Sequence, residues 1–451
     1  WRQVPPLPFE LAALPHQFYG ALQLPVVSYA LPALIAIGQA RFHHCPPRNP
    51  IIKALRRSAI QRTLRLLTEI QPENGGFLEA TPLTSFVLMS LASMGLSNHP
   101  VARRAAKFLS ASVRPDGSWP IDTNLSTWLT TLAINSLVEH CHTTLGKEAG
   151  TLATLLLNEQ YKVEHPYTHA SPGGWAWTEL PGGLPDADDT AGAVLALSHL
   201  KECSSRAKEA AMDGLCWLMG VQNRDGGIPT FCRGWGALPF DRSSPDISAH
   251  FIRAAQAWLP HLEPHFAAQL RKRVSKATHY LIRQQRPDGS WLPLWFGNQW
   301  CHDDENALYG TSRVLMALSS IDDPSVISAV DKGLQWIASA QNEDGGWGGG
   351  RLSPSSVEEA ALAVEALAVV LNHSSISISA RGICLPALRK GVEFLVRKVE
   401  SGEWTQPSPI GFYFAKLWYY ERLYPVVFTS AALRAARNAL SNHAEQKRQI
   451  A

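Results

Sequence analysis

The sequence predicts an almost wholly helical fold assembled from repeated helical hairpins. Three observations predict it. A Gly-rich turn ending in an aromatic or apolar residue recurs at intervals of about 42 to 63 residues, room for one hairpin per copy. The stretches between the turns carry apolar residues at three- and four-residue spacing. No convincing run alternates apolar with polar as a strand would.

In chain order the turns begin with Gln71-Pro-Glu-Asn-Gly-Gly-Phe77 and Arg114-Pro-Asp-Gly-Ser-Trp119. Ser171-Pro-Gly-Gly-Trp175 and Gln222-Asn-Arg-Asp-Gly-Gly-Ile228 follow. Then come Gln285-Arg-Pro-Asp-Gly-Ser-Trp291, Gln341-Asn-Glu-Asp-Gly-Gly-Trp347 and a worn copy, Glu400-Ser-Gly-Glu-Trp404. Asp-Gly or Gly-Gly ends one helix and permits positive φ. The Gln amide can reach backbone groups at a neighbouring helix end, and the Trp can cover the junction and bond through its indole N–H. Residues 271–283 ahead of one turn and 357–370 after another read as helices. Hairpins repeated in this way stack into a superhelix or close into a ring. The turns themselves read as scaffold.

Composition narrows the function classes. At 451 residues the chain is long enough for two or three domains with sizeable cores. Apolar residues make up 45%, charged residues 18%, and there are 15 Trp, which fits a large buried interior rather than disorder. A formal charge of +3, with no long basic block, gives no footprint for nucleic acid. The seven Cys are scattered and odd in number, which favours free thiols over a disulfide framework. The most apolar early run, residues 24–38, is interrupted by Pro25 and Pro32 and is shorter than a membrane span.

The chemistry concentrates at Pro185-Asp-Ala-Asp-Asp-Thr-Ala191. Asp186, Asp188 and Asp189 fall within four residues, where an apolar helix begins. Crowded, partly buried carboxylates share a proton rather than all ionise. A helix N-terminus stabilises the anion left behind, so that proton is also readily given up. Such a group suits protonation of a very weak base such as a carbon–carbon double bond. The alternative is that Asp186 or Asp188 merely caps the helix.

The turns and the Asp trio together resemble the squalene–hopene cyclase family of class II terpene cyclases, over essentially the whole chain. The family's Asp-x-Asp-Asp-Thr-Ala acid motif matches Asp186, Asp188 and Asp189. Its Asp-x-x-x-His helix matches Asp246-Ile-Ser-Ala-His250, and its Gly-Gly-aromatic-Ala-aromatic segment matches Gly173-Gly-Trp-Ala-Trp177. Ile228-Pro-Thr-Phe-Cys232 looks like the segment that narrows the substrate channel, and Leu308-Tyr-Gly-Thr311 also matches. The resemblance implies two α/α barrels: residues 1–98 as part of one whose amino-terminal portion is missing, and residues 99–451 as the catalytic barrel. It implies proton-initiated cyclisation of a linear polyprene such as squalene to a hopene-like product, with no cofactor and no metal. It further implies peripheral, monotopic attachment to the cytoplasmic side of a membrane, and is compatible with a homodimer.

By that resemblance Asp188 delivers the proton while Asp186 and Asp189 hold the shared charge. His250 lies one helical turn after Asp246. It would bond Asp188 and ease release of its proton, with Asp246 keeping the imidazole oriented. Trp128, Trp177, Trp295 and Tyr309 would line a dry cavity with cation-stabilising ring faces. Tyr29 sits where the family has a pocket Trp, Tyr413 replaces a Phe, and Phe231 and Cys232 belong to the channel segment.

The chain departs from the family in places. The loop from Gly227 to Phe231 is shorter, with loss of a pocket Tyr, and one family Tyr falls on Leu417. The insertion Asn298-Gln-Trp-Cys-His-Asp-Asp-Glu305 adds polar groups near Tyr309. Glu79 sits where a proton acceptor or water could end the reaction. These changes point away from hopene as the necessary product. Two rival readings remain: a non-catalytic lipid-binding relic of the family, and a zinc protein prenyltransferase β-subunit using Cys301-His302-Asp303-Asp304.

Overall fold

The computed structural model describes residues 1–15, 29–137, 145–146, 148–165, 168–200, 205–231, 239–372, 377–413 and 416–450. The chain forms two compact units. The first comprises Trp1–Ser126, Tyr161–Pro172 and Ala176–Pro185, and the second Thr127–Gln160, Gly173–Trp175 and Asp186–Ala451.

The first unit holds helices α1 (Leu31–His44), α2 (Pro50–Glu69), α3 (Thr81–Ser93) and α4 (Pro100–Ala111). Each carries Pro in its first turn, where a missing N–H costs no helical bond. Asn49 caps α2 by accepting from Ile51 N at 2.9 Å. Phe9, Phe42 and Ala59 form a small apolar core, and beside it Arg56 pairs with Glu10 at 3.1 Å.

In the second unit, inner and outer helices alternate along the chain. After α5 (Ser126–Ser136) and α6 (Glu148–Glu159) come α7 (Ala187–His199), α8 (Ser205–Val221), α9 (Pro245–Trp258) and α10 (Pro264–Gln284). Then follow α11 (Ala307–Leu318), α12 (Pro324–Ser339), α13 (Val357–Leu371), α14 (Ile378–Glu400) and α15 (Tyr424–Ile450). α7 packs on α9, α9 on α11, α11 on α13 and α13 on α15, while α8, α10, α12 and α14 back the helices just before them. The apolar pattern sorts the two rings. α7 and α13 are buried almost all round, whereas α10 is buried at Ala267, Leu270, Val274, Ala277 and Leu281, a single stripe. The inner ring closes between its first and last members, where Trp128 Nε1 donates to Tyr424 Oη at 2.9 Å. This is an α/α barrel. Each inner helix is reached through an outer one, so the inner helices share a direction and their first turns gather at one end.

The repeated turns lock neighbouring hairpins by one recurring pattern. Gln222 Nε2 donates to Gly226 O at 2.7 Å and to Arg273 O of the next outer helix at 3.0 Å. Gln71, Gln285 and Gln341 each make the same two kinds of bond. The indoles of Trp119, Trp175, Trp291 and Trp347 donate to Leu109, Leu156, Leu281 and Ile337 carbonyls at 2.7–2.8 Å. In the third copy the Gln is Gln160, thirteen residues before the Gly173 carbonyl it bonds. Sequence spacing alone did not reveal it.

Gly226 has φ +94°, and a Cβ there would lie 2.4 Å from the Lys276 carbonyl oxygen. Gly117 has φ +81° with nothing within 4 Å of such a Cβ. Gly226→Ala is therefore expected to cost about 1–3 kcal/mol more than Gly117→Ala, which pays only the left-handed backbone penalty. Urea midpoints of the two variants check this.

One element has no counterpart in the sequence pattern. β1 (Gly411–Tyr413) and β2 (Leu417–Tyr419) pair antiparallel, Phe412 opposite Trp418. Three residues per strand are too few for alternation to register. Among the described residues no helix is long and apolar enough to cross a membrane.

Candidate active site

The site is built on the first turns of inner helices in the second unit. Asp186 caps α7, its Oδ1 accepting Asp188 N and Asp189 N, each at 2.9 Å. Its backbone is clamped from two directions: Asp186 N donates to Trp175 O at 3.0 Å, and Trp175 N donates to Thr190 Oγ1 at 3.0 Å. Ala187 N donates to Thr230 O at 2.7 Å, tying the acid turn to the loop after α8.

Asp186 and Asp189 are buried at 3% and 5% exposure. Burial raises both carboxyls well out of their ordinary range, and for Asp189 the neighbouring Asp186 charge adds to it. Asp186 Oδ2 and Asp189 Oδ1 receive no donor from the protein. A carboxyl that carries its own proton tolerates this, while a bare carboxylate would not. Asp188 differs. Its side chain is 17% exposed, faces a cavity, and lies 2.7 Å through Oδ1 from His250 Nδ1. Asp246, at the start of α9, accepts from the Ser244 hydroxyl, and burial with the nearby Asp188 charge pushes its carboxyl up to about 7. No hydrogen bond joins Asp246 to His250, because the imidazole turns toward Asp188.

The cavity, about 50 Å³, has room for one or two waters. Asp188, Asp246, His250, Trp128 and Tyr309 face it, and deeper in the barrel so do Arg253, Arg313 and Glu365. Trp128 meets His250 edge-on, with ring centroids 6.4 Å apart. Tyr309 stacks on Phe296 at 3.6 Å, and Arg313 lies over its ring at 5.1 Å. With its ring covered on those two sides, Tyr309 has chiefly its hydroxyl to offer, and burial raises that hydroxyl's pKa.

Phe231 and Trp295 are joined through Phe240, which the sequence reading missed: Phe240 is 5.4 Å from Phe231 and 5.1 Å from Trp295. Trp295 Nε1 also donates to Thr230 Oγ1 at 3.2 Å. Tyr29, buried, and Trp177, half-buried, belong to the first unit. Cys232 lies outside the described residues, as does the side chain of Tyr413, whose backbone is in β1. Glu79 is fully buried in the first unit, its carboxylate accepting from Asn74 Nδ2 at 2.6 Å, Thr123 Oγ1 at 2.9 Å and Gly182 N at 2.9 Å. Those three donors tie separate loops together. Among the described residues no three His, Cys, Asp or Glu are grouped as metal ligands. His302 and Asp303, which the zinc reading needs, are 93% and 72% exposed and pair with each other.

The raised carboxyls make stability pH-dependent. Asp246 is neutral in the folded chain up to about 7 and ionises near 4 once unfolded. Its contribution is therefore present in acid and lost as pH rises from about 4 through about 7. Asp246→Asn is expected to gain on the wild type across that interval, by an amount on the order of 4 kcal/mol. Melting temperatures of both proteins, measured at matched pH, check it.

The fold and site define an α/α-barrel protein whose inner helices present a cluster of buried carboxyls to a partly charged lumen. Residues 124–438 match the squalene–hopene cyclase C-terminal domain. The chain belongs to the squalene–hopene cyclase family. The terpene cyclase–glycosyl transferase fusion protein fsoA of Humicola fuscoatra is 28% identical over 387 residues, 76% of this chain and 28% of its own length. The squalene–hopene cyclase of Bradyrhizobium diazoefficiens is 28% identical over 438 residues, 86% of this chain and 61% of its own. This chain thus spans only part of those relatives. The type II terpene cyclase MstE of Scytonema, solved with merosterolic acid A, superposes with a TM-score of 0.50 at 14% identity, covering 69% of this chain and 86% of that one. At that identity the likeness speaks for the fold alone.

Proposed function

We propose that the chain is a class II terpene cyclase that protonates the terminal double bond of a linear polyprene, squalene or a similar chain. The observation that carries this reading is the 2.7 Å contact between Asp188 and His250 beside neutral-prone Asp186, Asp189 and Asp246. In the reaction, Asp188 gives its carboxyl proton to the less substituted alkene carbon. The π electron pair forms the new C–H bond, and the positive charge appears on the more substituted carbon. Successive double bonds attack it and close rings. The last cation gives a proton to water, which restores a double bond, and a proton from solvent returns to Asp188, so the product is an isomer of the substrate.

Each side chain has a role in that scheme. The Asp188 carboxylate left behind is held by the hydrogen bond to His250 Nδ1, and the neighbouring neutral carboxyls keep further negative charge from opposing departure of the proton. Trp128, Trp295 and Phe231 supply ring faces worth about 0.5–2 kcal/mol per cation contact. A polyprene is drawn from a bilayer, so the protein works at a membrane surface.

The test is incubation of detergent-solubilised protein with squalene and with shorter linear polyprenes, followed by mass spectrometry. A cyclic isomer supports the reading and its skeleton names the product. A folded protein that leaves every polyprene unchanged refutes it. Flotation with liposomes tests the membrane assignment separately, since a protein that stays wholly at the bottom of the gradient does not act at a bilayer.

A further inference from the structure

The lumen below the acid holds charges that the scheme above does not use. Arg313 stands one turn after Tyr309 on α11, with its side chain 15% exposed. Its guanidinium lies 5.1 Å over the Tyr309 ring and 5.2 Å over the Phe428 ring. Its nearest carboxylate, Glu365 Oε2, is 3.8 Å away, a loose ion pair. Arg253 on α9 faces the same cavity, near enough to Glu365 for the two charges to attract. Two arginines therefore share one carboxylate inside a cavity that also contains Asp188. A guanidinium so far removed from water needs more negative charge than that. The carboxylate that Asp188 becomes on giving up its proton is such a charge, in the same cavity.

We infer that Arg313 is a positioning residue for the acid: a permanent positive charge, fixed by Tyr309, Phe428 and Glu365, that favours the carboxylate formed when Asp188 gives up its proton. The inference rests on the cyclase reading. Among the described residues, the charged and titratable groups around the acid turn are Asp186 and Asp189 on it, Glu159 on α6 toward Asp189, and Asp246, His250 and Arg253 on α9. Tyr309 and Arg313 on α11 and Glu365 on α13 complete them. His250 touches the acid directly, whereas the Arg313 guanidinium acts from further away and keeps its charge at every working pH. The site thus pairs a hydrogen-bonding imidazole in contact with a permanent charge at longer range.

Arg313→Gln, Arg313→Lys and Glu365→Gln test it. The readouts are kcat and KM against pH for the polyprene that the wild type converts, and melting temperature against pH. Arg313→Gln is expected to lower kcat about tenfold, less than the loss of a donor in direct contact, with KM little changed. The alkaline limb of its profile moves up by about one pH unit, because the carboxyl cluster holds its protons more firmly. Arg313→Lys restores most of kcat and the wild-type limb. Glu365→Gln moves the limb the other way. A wild-type limb in Arg313→Gln, or a Lys variant as impaired as the Gln variant, overturns the inference. If the wild type converts no polyprene, the cyclase reading falls by itself. The melting profile then decides the charge coupling: a shifted midpoint in Arg313→Gln supports it, and an unshifted one overturns it.

Discussion

Asp188→Asn is expected to reduce cyclic product by roughly 10²–10⁴-fold, the range lost with a general acid, in a chain that folds and melts like the wild type. The amide keeps the size of the carboxyl and can still accept from His250 Nδ1, now 2.7 Å from Asp188 Oδ1. It has no acidic proton to give. Asp188 makes no cap contact through its side chain, since Asp186 caps α7. Asp186→Asn, by contrast, preserves an equally good cap but removes a carboxyl from the proton-sharing pair, so partial activity is expected. Product yield by mass spectrometry, with circular dichroism on the same samples, checks both. A fully active Asp188→Asn would sink the assignment of the acid.

The second large effect is on stability. Trp175→Ala should cost about 3–5 kcal/mol, a large part of the total for a typical domain. Trp175 is fully buried, its indole bonds Leu156 O at 2.7 Å, and its backbone bonds both Asp186 and Thr190. The loss should therefore also loosen the acid turn and lower activity at temperatures where the chain remains folded. Trp119 stands at the corresponding place in another copy and makes the same indole bond at 2.8 Å, but is 51% exposed. Trp119→Ala should cost about 1 kcal/mol or less. Urea unfolding of the two variants tests whether burial, rather than the motif, sets the cost.

The helical class was readable because its punctuation is local. A left-handed residue at a helix end calls for Gly, and an amide or indole that caps a neighbouring helix calls for Gln or Trp. The Asp trio was readable because three carboxylates so close together need an explanation. The pairing of Asp188 with His250 was not readable from spacing, since 62 residues separate them; it came through the resemblance. Arg253, Arg313 and Glu365 were overlooked, although a signal existed. Glu365 is an acid in the middle of α13, a helix buried all round, and such a charge has only the barrel lumen to face. Phe240 gave no signal, because one aromatic in a loop is indistinguishable from filler. Gln160 was hidden by the segment between it and its turn, and that segment belongs to the other unit.

The Trp128–Tyr424 bond that closes the inner ring has a consequence for biogenesis. Its partners are 296 residues apart in the chain. Closing a loop that long forfeits chain entropy before any contact rewards it, although the penalty grows only logarithmically with length. The hairpins can form one after another as the polypeptide leaves the ribosome, each locked to the last by its Gln. The lumen gains its last wall only when α15 has emerged. Until then a nascent chain holds its Asp cluster in an open trough exposed to water, where the proposed cation would be quenched.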